Sequence, residues 1–268
     1  MNSQQPKKPV SVEKHFSSSV LLWMRKDKPR HEGTDYWKGP HSQIISATPG
    51  LEEYRQIHLE DVNPGRWPAI AGVETVIPAD RKVDGVAEVT FRSALSPLLG
   101  RKQTQMAFAD EVNVFSRTLL YAGVPGWSRW HKFAGPQAKV GARALIYLRR
   151  KPTSRAGAFR AFVNDELVPA LAKSGALTEL RSQAFLPWAE ILWDTPKVAH
   201  DNPKDQQFQA SLILGFSDLS ARSAFFVDGG AARLSSALAS QVAAVHAYDV
   251  AAALTYVENG ERLNQYRE

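Results

Sequence analysis

The feature that most constrains this chain is an internal echo. The apolar run Val20-Leu21-Leu22-Trp23-Met24, closed by Arg25-Lys26, returns as Ala144-Leu145-Ile146-Tyr147-Leu148, closed by Arg149-Arg150. A short run of aliphatic and aromatic side chains that ends in charge and a turn has the pattern of a well-buried strand. A helix-forming stretch follows each copy. Residues 33–47 carry the first, stopped by Thr48-Pro49-Gly50; Ser154 caps the second, residues 155–173, which stops at Ser174-Gly175. Second strands are expected at 51–59 and within 177–188, and third strands at 85–91 and 208–216. Second helices at 103–115 and 220–245, then last strands at 117–122 and 252–257, complete the order βαββαβ twice. The competing reading is one long α/β domain in which the echo is accidental. The repeats are placed at 17–126 and 141–268, with an ordered Gly-, Pro- and aromatic-containing connector at 127–140 and a flexible polar tail over the first 16 residues.

Composition removes several classes of function. The 33 Lys and Arg against 27 Asp and Glu give a formal charge of +6, but the basic residues fall in short groups after strands, so no nucleic-acid footprint forms. A mild positive balance suits anionic small molecules instead. There is no cysteine, which excludes disulfides, thiolate metal sites and cysteine nucleophiles. The seven histidines show no paired ligand spacing, so no metal is expected, and no glycine-rich phosphate loop follows a strand, so no nucleotide cofactor is expected. No apolar run suffices to span a membrane and the N-terminus lacks a secretory core, so the expected location is cytoplasmic.

The first half carries Tyr36-Trp37 with His41 four positions beyond, then Pro49-Gly50-Leu51, Tyr54, Gln56 and His58. Asp84-Gly85-Val86-Ala87-Glu88 and Phe91 follow, and then Asp110-Glu111 and Phe115. This order, over about residues 21–121, resembles the EthD family of the dimeric α+β barrel superfamily. In many relatives Gly-Pro follows the histidine, whereas here Gly39-Pro40 precede His41. The resemblance implies an α+β fold of two ferredoxin-like repeats whose antiparallel sheets pack as an intramolecular dimeric α+β barrel. It also implies a cofactor-free small-molecule enzyme of the dehydratase, cyclase or decarboxylase type, moving a proton at carbon of an aromatic or polyketide-like carbonyl compound. The alternative is a non-catalytic binding or accessory protein that holds a hydrophobic intermediate of a degradation pathway. A cofactor-free oxygenase is a third reading. Fusion satisfies the barrel interface, so further self-association into a homo-oligomer is optional.

On the same resemblance His41 is the acid or base, Tyr54 and His58 hold the developing enolate, and Tyr36 and Trp37 shape the cavity. Histidine titrates near neutrality, which suits proton transfer, although His41 could equally cap or pack. Alternation places Tyr54, Gln56 and His58 on one sheet face, which looks either into a cleft or outward to solvent. Glu88 shares a face with Val86 and Thr90 and is either a base or a salt-bridge partner. If Phe162 answers to Trp37, Glu166 stands where the first half has His41, and it would contact substrate. Asp110 and Glu111 diverge by about 100° on a helix, too far for a close carboxylate pair, and read as surface or interface charges. Among the seven tryptophans, Trp127, Trp130, Trp188 and Trp193 are candidates for walling a pocket for a planar ligand.

Overall fold

The computed structural model describes residues 9–133 and 139–268; the first eight residues of the expected tail and the middle of the expected connector lie outside them. The first half runs β1 (Pro9–Met24), α1 (Arg30–Tyr36), a π-helical turn at Trp37–His41, α2 (Ser42–Ser46), β2 (Leu51–Leu59), β3 (Gly85–Phe91), α3 (Ser96–Leu99), α4 (Arg101–Glu111) and β4 (Phe115–Tyr121). Strand β5 (Ser128–Phe133) follows. The second half repeats the order as β6 (Ala142–Arg150), α5 (Ala156–Ala161), a π-helical turn at Phe162–Leu167, α6 (Val168–Ala172), β7 (Glu179–Ala184), β8 (Ala210–Phe216), α7 (Leu219–Val227), α8 (Ser235–Gln241) and β9 (Val242–Glu258). Strand β10 (Glu261–Arg267) ends the chain against β9.

Within each half the antiparallel order is the ferredoxin-like one: β4-β1-β3-β2 in the first and β9-β6-β8-β7 in the second. The halves join along two seams. The far end of the 17-residue β9 pairs with β2, and β5 bridges the N-terminal part of β1 to β7, which closes the barrel. A closed sheet leaves no unpaired edge at either seam. Residues 9–16, expected in the flexible tail, are therefore half of β1, paired to β5. The expected second helix of the second half also overruns: helix ends at Gln241, and Val242 begins β9 because pairing with β6 outweighs the helix propensity of its alanines. Likewise α4 ends at Glu111, and Phe115 opens β4.

The sheet has two distinct faces. Inside the barrel a middle layer of Leu21, Ile57, Val86, Leu145, Tyr147 and Ile213 is apolar. Above it Arg55 binds Glu88 and Glu179, while Arg181 binds Glu53, so each buried charge meets its opposite. Outside, helices cover the sheet. In the second half Phe159, Phe162, Leu167 and Leu171 fill that space, whereas in the first half the corresponding space is partly open.

The long loops are exchanged. Residues 60–84 of the first half cross to the second, where Trp67 enters its core and Arg66 pairs with Asp249. Residues 185–209 of the second half cross to the first, where Ala199 bonds the backbone of β4. No helix among the described residues is long and apolar enough to cross a membrane.

Candidate functional site

Pro40 lacks the N–H that an α-helix would bond to the carbonyl of Tyr36, and the helix widens into a π turn over Trp37–His41. The freed carbonyls find side chains. Gln56 Nε2 donates to Trp37 O at 2.8 Å, Tyr256 Oη to Lys38 O at 2.8 Å, and Ser42 Oγ lies 2.8 Å from Gly39 O. Trp37 then lies flat over Gly85, where any Cβ would overlap its six-membered ring. The turn aims His41 between helix and sheet, 3 % exposed.

His41 Nδ1 is 2.8 Å from Asp110 Oδ2, and Tyr36 Oη donates to Asp110 Oδ1 at 2.7 Å. The His41 bond, then that from Tyr36, hold the Asp110 carboxyl below its ordinary range, against partial burial. A carboxylate accepting at Nδ1 fixes the tautomer with Nδ1–H, leaving Nε2 as the basic nitrogen. Among the described residues no hydrogen bond engages Nε2. Phe115 stands edge-on to the ring at 5.5 Å and limits its rotation.

One position further along α4, Glu111 points to a different set of partners. Thr195 Oγ1 donates to Oε2 at 2.5 Å and Trp193 Nε1 to Oε1 at 3.0 Å, both from the loop that crosses over from the second half. Burial pushes the Glu111 carboxyl above its ordinary range although these donors pull it down. Of the sequence reading of Asp110 and Glu111 as surface or interface charges, the surface alternative is thus corrected, and Glu111 meets the loop of the other half. They diverge as a helix requires, yet both turn inward, one behind His41 and one toward the space His41 borders.

That space is a cavity of about 410 Å³ between sheet and helices, within the size range of small-molecule sites. Phe16, Val20, Leu22, Ala87, Val89 and Phe91 make its sheet wall, and Leu98 and Leu192 lie toward its mouth. Ser18, His41 and Glu111 are its buried polar contributors, Trp193 is half-buried beside them, and Arg101 and Thr104 lie along α4.

The other expected residues fall elsewhere. Tyr54, Gln56 and His58 do share a face, on the helix side, but they are packed beneath the π turn rather than open to the cavity. Gln56 Nε2 donates to Tyr54 Oη at 2.8 Å, His58 Nε2 is 3.0 Å from Gln56 Oε1, and the His58 ring lies 4.3 Å from Trp37. Burial, then the Lys38 and Arg30 charges, lower His58 to about 3, and burial raises Tyr54, so neither is tuned for proton transfer at neutral pH. Glu88 faces the barrel interior, bound by Arg55 and Gln183, with the sheet between it and the cavity. Glu166 is exposed on the outer helix face and does not line this cavity. Trp130 is stacked between His15 and Arg181, Trp127 lies under Arg160, and Trp188 packs against the barrel interior; of the four proposed walls only Trp193 lines the cavity.

No family model and no curated protein matches the sequence. Solved structures do match the fold. A crystal structure described as "putative monooxygenase" from Lactobacillus acidophilus NCFM aligns with a TM-score of 0.51 at 11 % identity, over 96 % of this chain and all of that one. Another so described, from Fusobacterium nucleatum, aligns with a TM-score of 0.53 at 9 % identity, over 95 % of this chain and 98 % of that one. A mutant chlorite dismutase from Candidatus Nitrospira defluvii aligns at 0.43 and 9 % identity, over 90 % and 93 %, too weakly to bear on the argument. The first two show that the chain is a dimeric α+β barrel formed within one polypeptide.

Proposed function

We propose that the first-half cavity is the active site of a small-molecule enzyme that removes a proton from an apolar, carbonyl- or phenol-containing substrate. The observation that carries this reading is His41, oriented by Asp110 and bordering an apolar cavity of about 410 Å³. In the reaction Nε2 of His41 takes the proton from carbon or from a hydroxyl, and the electron pair moves onto the substrate oxygen. Asp110 stabilises the imidazolium so formed. The apolar walls exclude water and favour a planar, hydrophobic substrate. The EthD-like order of Tyr36, Trp37, His41, Asp110 and Glu111 supports dehydration, cyclisation or decarboxylation as the sequel.

A second reading shares the first step. The structural neighbours described as monooxygenases favour reaction of the deprotonated substrate with dioxygen, and that reaction needs the same base and the same dry cavity. Wild type and His41→Gln are incubated with a panel of aromatic and polyketide-like carbonyl compounds, in air and under nitrogen, and followed by mass spectrometry. Wild type is expected to remove water or carbon dioxide in both atmospheres, or to add oxygen only in air, and His41→Gln to turn over roughly 10² to 10⁴ times more slowly. Full turnover by His41→Gln sinks the assignment of the base. Unchanged compounds retained by both proteins make the cavity a carrier site.

A further inference from the structure

The mouth of the first-half cavity is bordered by apolar side chains that face water. Around α3, Leu95 is 67 % exposed, Leu98 75 % and Leu99 62 %. In the loop that crosses from the second half, the 3₁₀ turn Glu190–Leu192 carries Ile191, 85 % exposed, and Leu192, 44 % exposed. Leu98 and Leu192 both line the cavity, so the two stretches border one opening. Single exposed leucines are ordinary on a protein surface, whereas a group of them around an apolar opening marks a contact site.

Both stretches are held in place by other residues than these. The single turn of α3 buries Ser96 and none of its leucines. Ser96 Oγ accepts the Ser93 N–H at 3.1 Å and packs against Gly50, where an added Cβ would overlap it, so the leucines on either side are left outward. In the crossing loop Trp193 donates to Glu111 and stands edge-on to Phe108 at 4.9 Å, which seats Ile191 and Leu192 beside α4. The free charge next to the leucines is positive. Residues 92–109 contain Arg92, Arg101 and Lys102 and no Asp or Glu. Arg92 is paired with Glu52 at 3.3 Å, but Arg101, which lines the cavity, and Lys102 are exposed and make no ion pair among the described residues. Glu190 and Asp194, which flank Ile191 and Leu192, turn toward His200 Nε2, at 3.0 and 3.3 Å.

From the exposed leucines, the unpaired Arg101 and Lys102 and the apolar opening that they border, we infer that this face docks on an anionic lipid bilayer. Apolar side chains entering the interface and cations beside anionic headgroups each add to such binding. A second copy of the chain fits the face less well, because a two-fold pair sets the patch against itself and brings Arg101 and Lys102 near their own copies. The cavity points the same way. A ligand suited to its apolar walls concentrates in lipid, and docking sets the opening where that ligand is. His41 has no part in the docking, so the surface stands whether or not the cavity is catalytic.

Co-sedimentation of the purified chain with vesicles tests it, using phosphatidylcholine alone and an equal mixture of phosphatidylcholine and phosphatidylserine. Binding to the mixed vesicles is expected, falling with added salt and falling roughly fivefold for each of Arg101→Gln and Lys102→Gln. Leu95→Ser combined with Leu99→Ser, at two positions that do not line the cavity, is expected to weaken it about tenfold or more with an unchanged urea midpoint, and Ile191→Ser to act in the same direction. His41→Gln is expected to bind vesicles as wild type does. Absence of binding to the mixed vesicles overturns the proposal, and so does equal binding to phosphatidylcholine alone or binding that both basic substitutions leave unchanged. A wild-type dimer on light scattering that the leucine double variant dissolves, with no vesicle binding, assigns the face to a second copy and overturns it as well.

Discussion

At the scale of single residues, the arrangement around His41 depends on which side chain holds which nitrogen. Asp110 makes Nδ1 the protonated position, so Asp110→Asn, which presents either a neutral oxygen or an N–H there, loses the preference for the basic Nε2. Turnover is expected to fall by about 10² to 10⁴ with KM little changed, read by steady-state kinetics on the substrate that the mass-spectrometric panel identifies. His58 predicts a different behaviour. Its pKa is lowered to about 3 by burial, so below about pH 6.5 the unfolded chain takes up a proton that the folded chain refuses. Its contribution to stability is therefore lost progressively as pH falls from about 6.5 toward 3. Urea midpoints measured across that window are expected to fall less steeply in His58→Gln than in wild type; parallel curves would rule His58 out as the cause.

At the scale of elements, the two π turns show how the same local structure can be kept while its chemistry is lost. Both first helices widen at the equivalent place, at Trp37–His41 and at Phe162–Leu167. In the first half the turn carries His41 inward, and the free carbonyls are met by Gln56 and Tyr256. In the second, Phe162, Val163 and Leu167 fill the space beneath it, and Glu166 is left on the solvent side. The position of the first turn rests on the contact of Trp37 with Gly85 of β3. Gly85→Ala is expected to cost about 1–3 kcal/mol by overpacking, measured by chemical denaturation, and to lower turnover by moving His41 from Asp110. An unchanged midpoint would show that Trp37 has room to shift. Helix α4 shows a readable pattern that the adjacency of Asp110 and Glu111 obscured: Thr104 and Glu111 line the cavity and Ala107 is fully buried, the i, i+3, i+7 spacing of one inward face.

At the scale of the whole molecule, the halves are structurally inseparable. Each contributes strands to both seams, and each lends its long loop to the other, so that Glu111 of the first half is held by Trp193 and Thr195 of the second. The barrel interior adds cross-half ion pairs, Arg55 with Glu179 and Arg181 with Glu53. Cutting the chain between the halves would expose these charges and an apolar sheet face at once. A single cooperative calorimetric transition is expected for the intact chain, and neither half expressed alone should show native-like dispersion by NMR. Two resolved transitions would contradict this.

The amino-acid sequence by itself determined what is local and periodic. The echo of residues 20–26 in 144–150 marked the repeat, apolar runs placed β2, β3 and β8 nearly to the residue, and the family resemblance of Tyr36-Trp37 with His41 four positions beyond singled out His41. Alternation put Tyr54, Gln56 and His58 on a common face and Glu88 on the opposite one from Val89, and both statements hold. Only the tertiary structure decided which face meets the cavity, because a period of two distinguishes sides without saying what covers them. The partners of His41 and Glu111 were equally out of reach. Asp110 lies 69 residues from His41 along the chain and Thr195 lies 84 from Glu111; packing of α4 against the π turn brings the first pair together, and the loop that crosses from the second half brings the second.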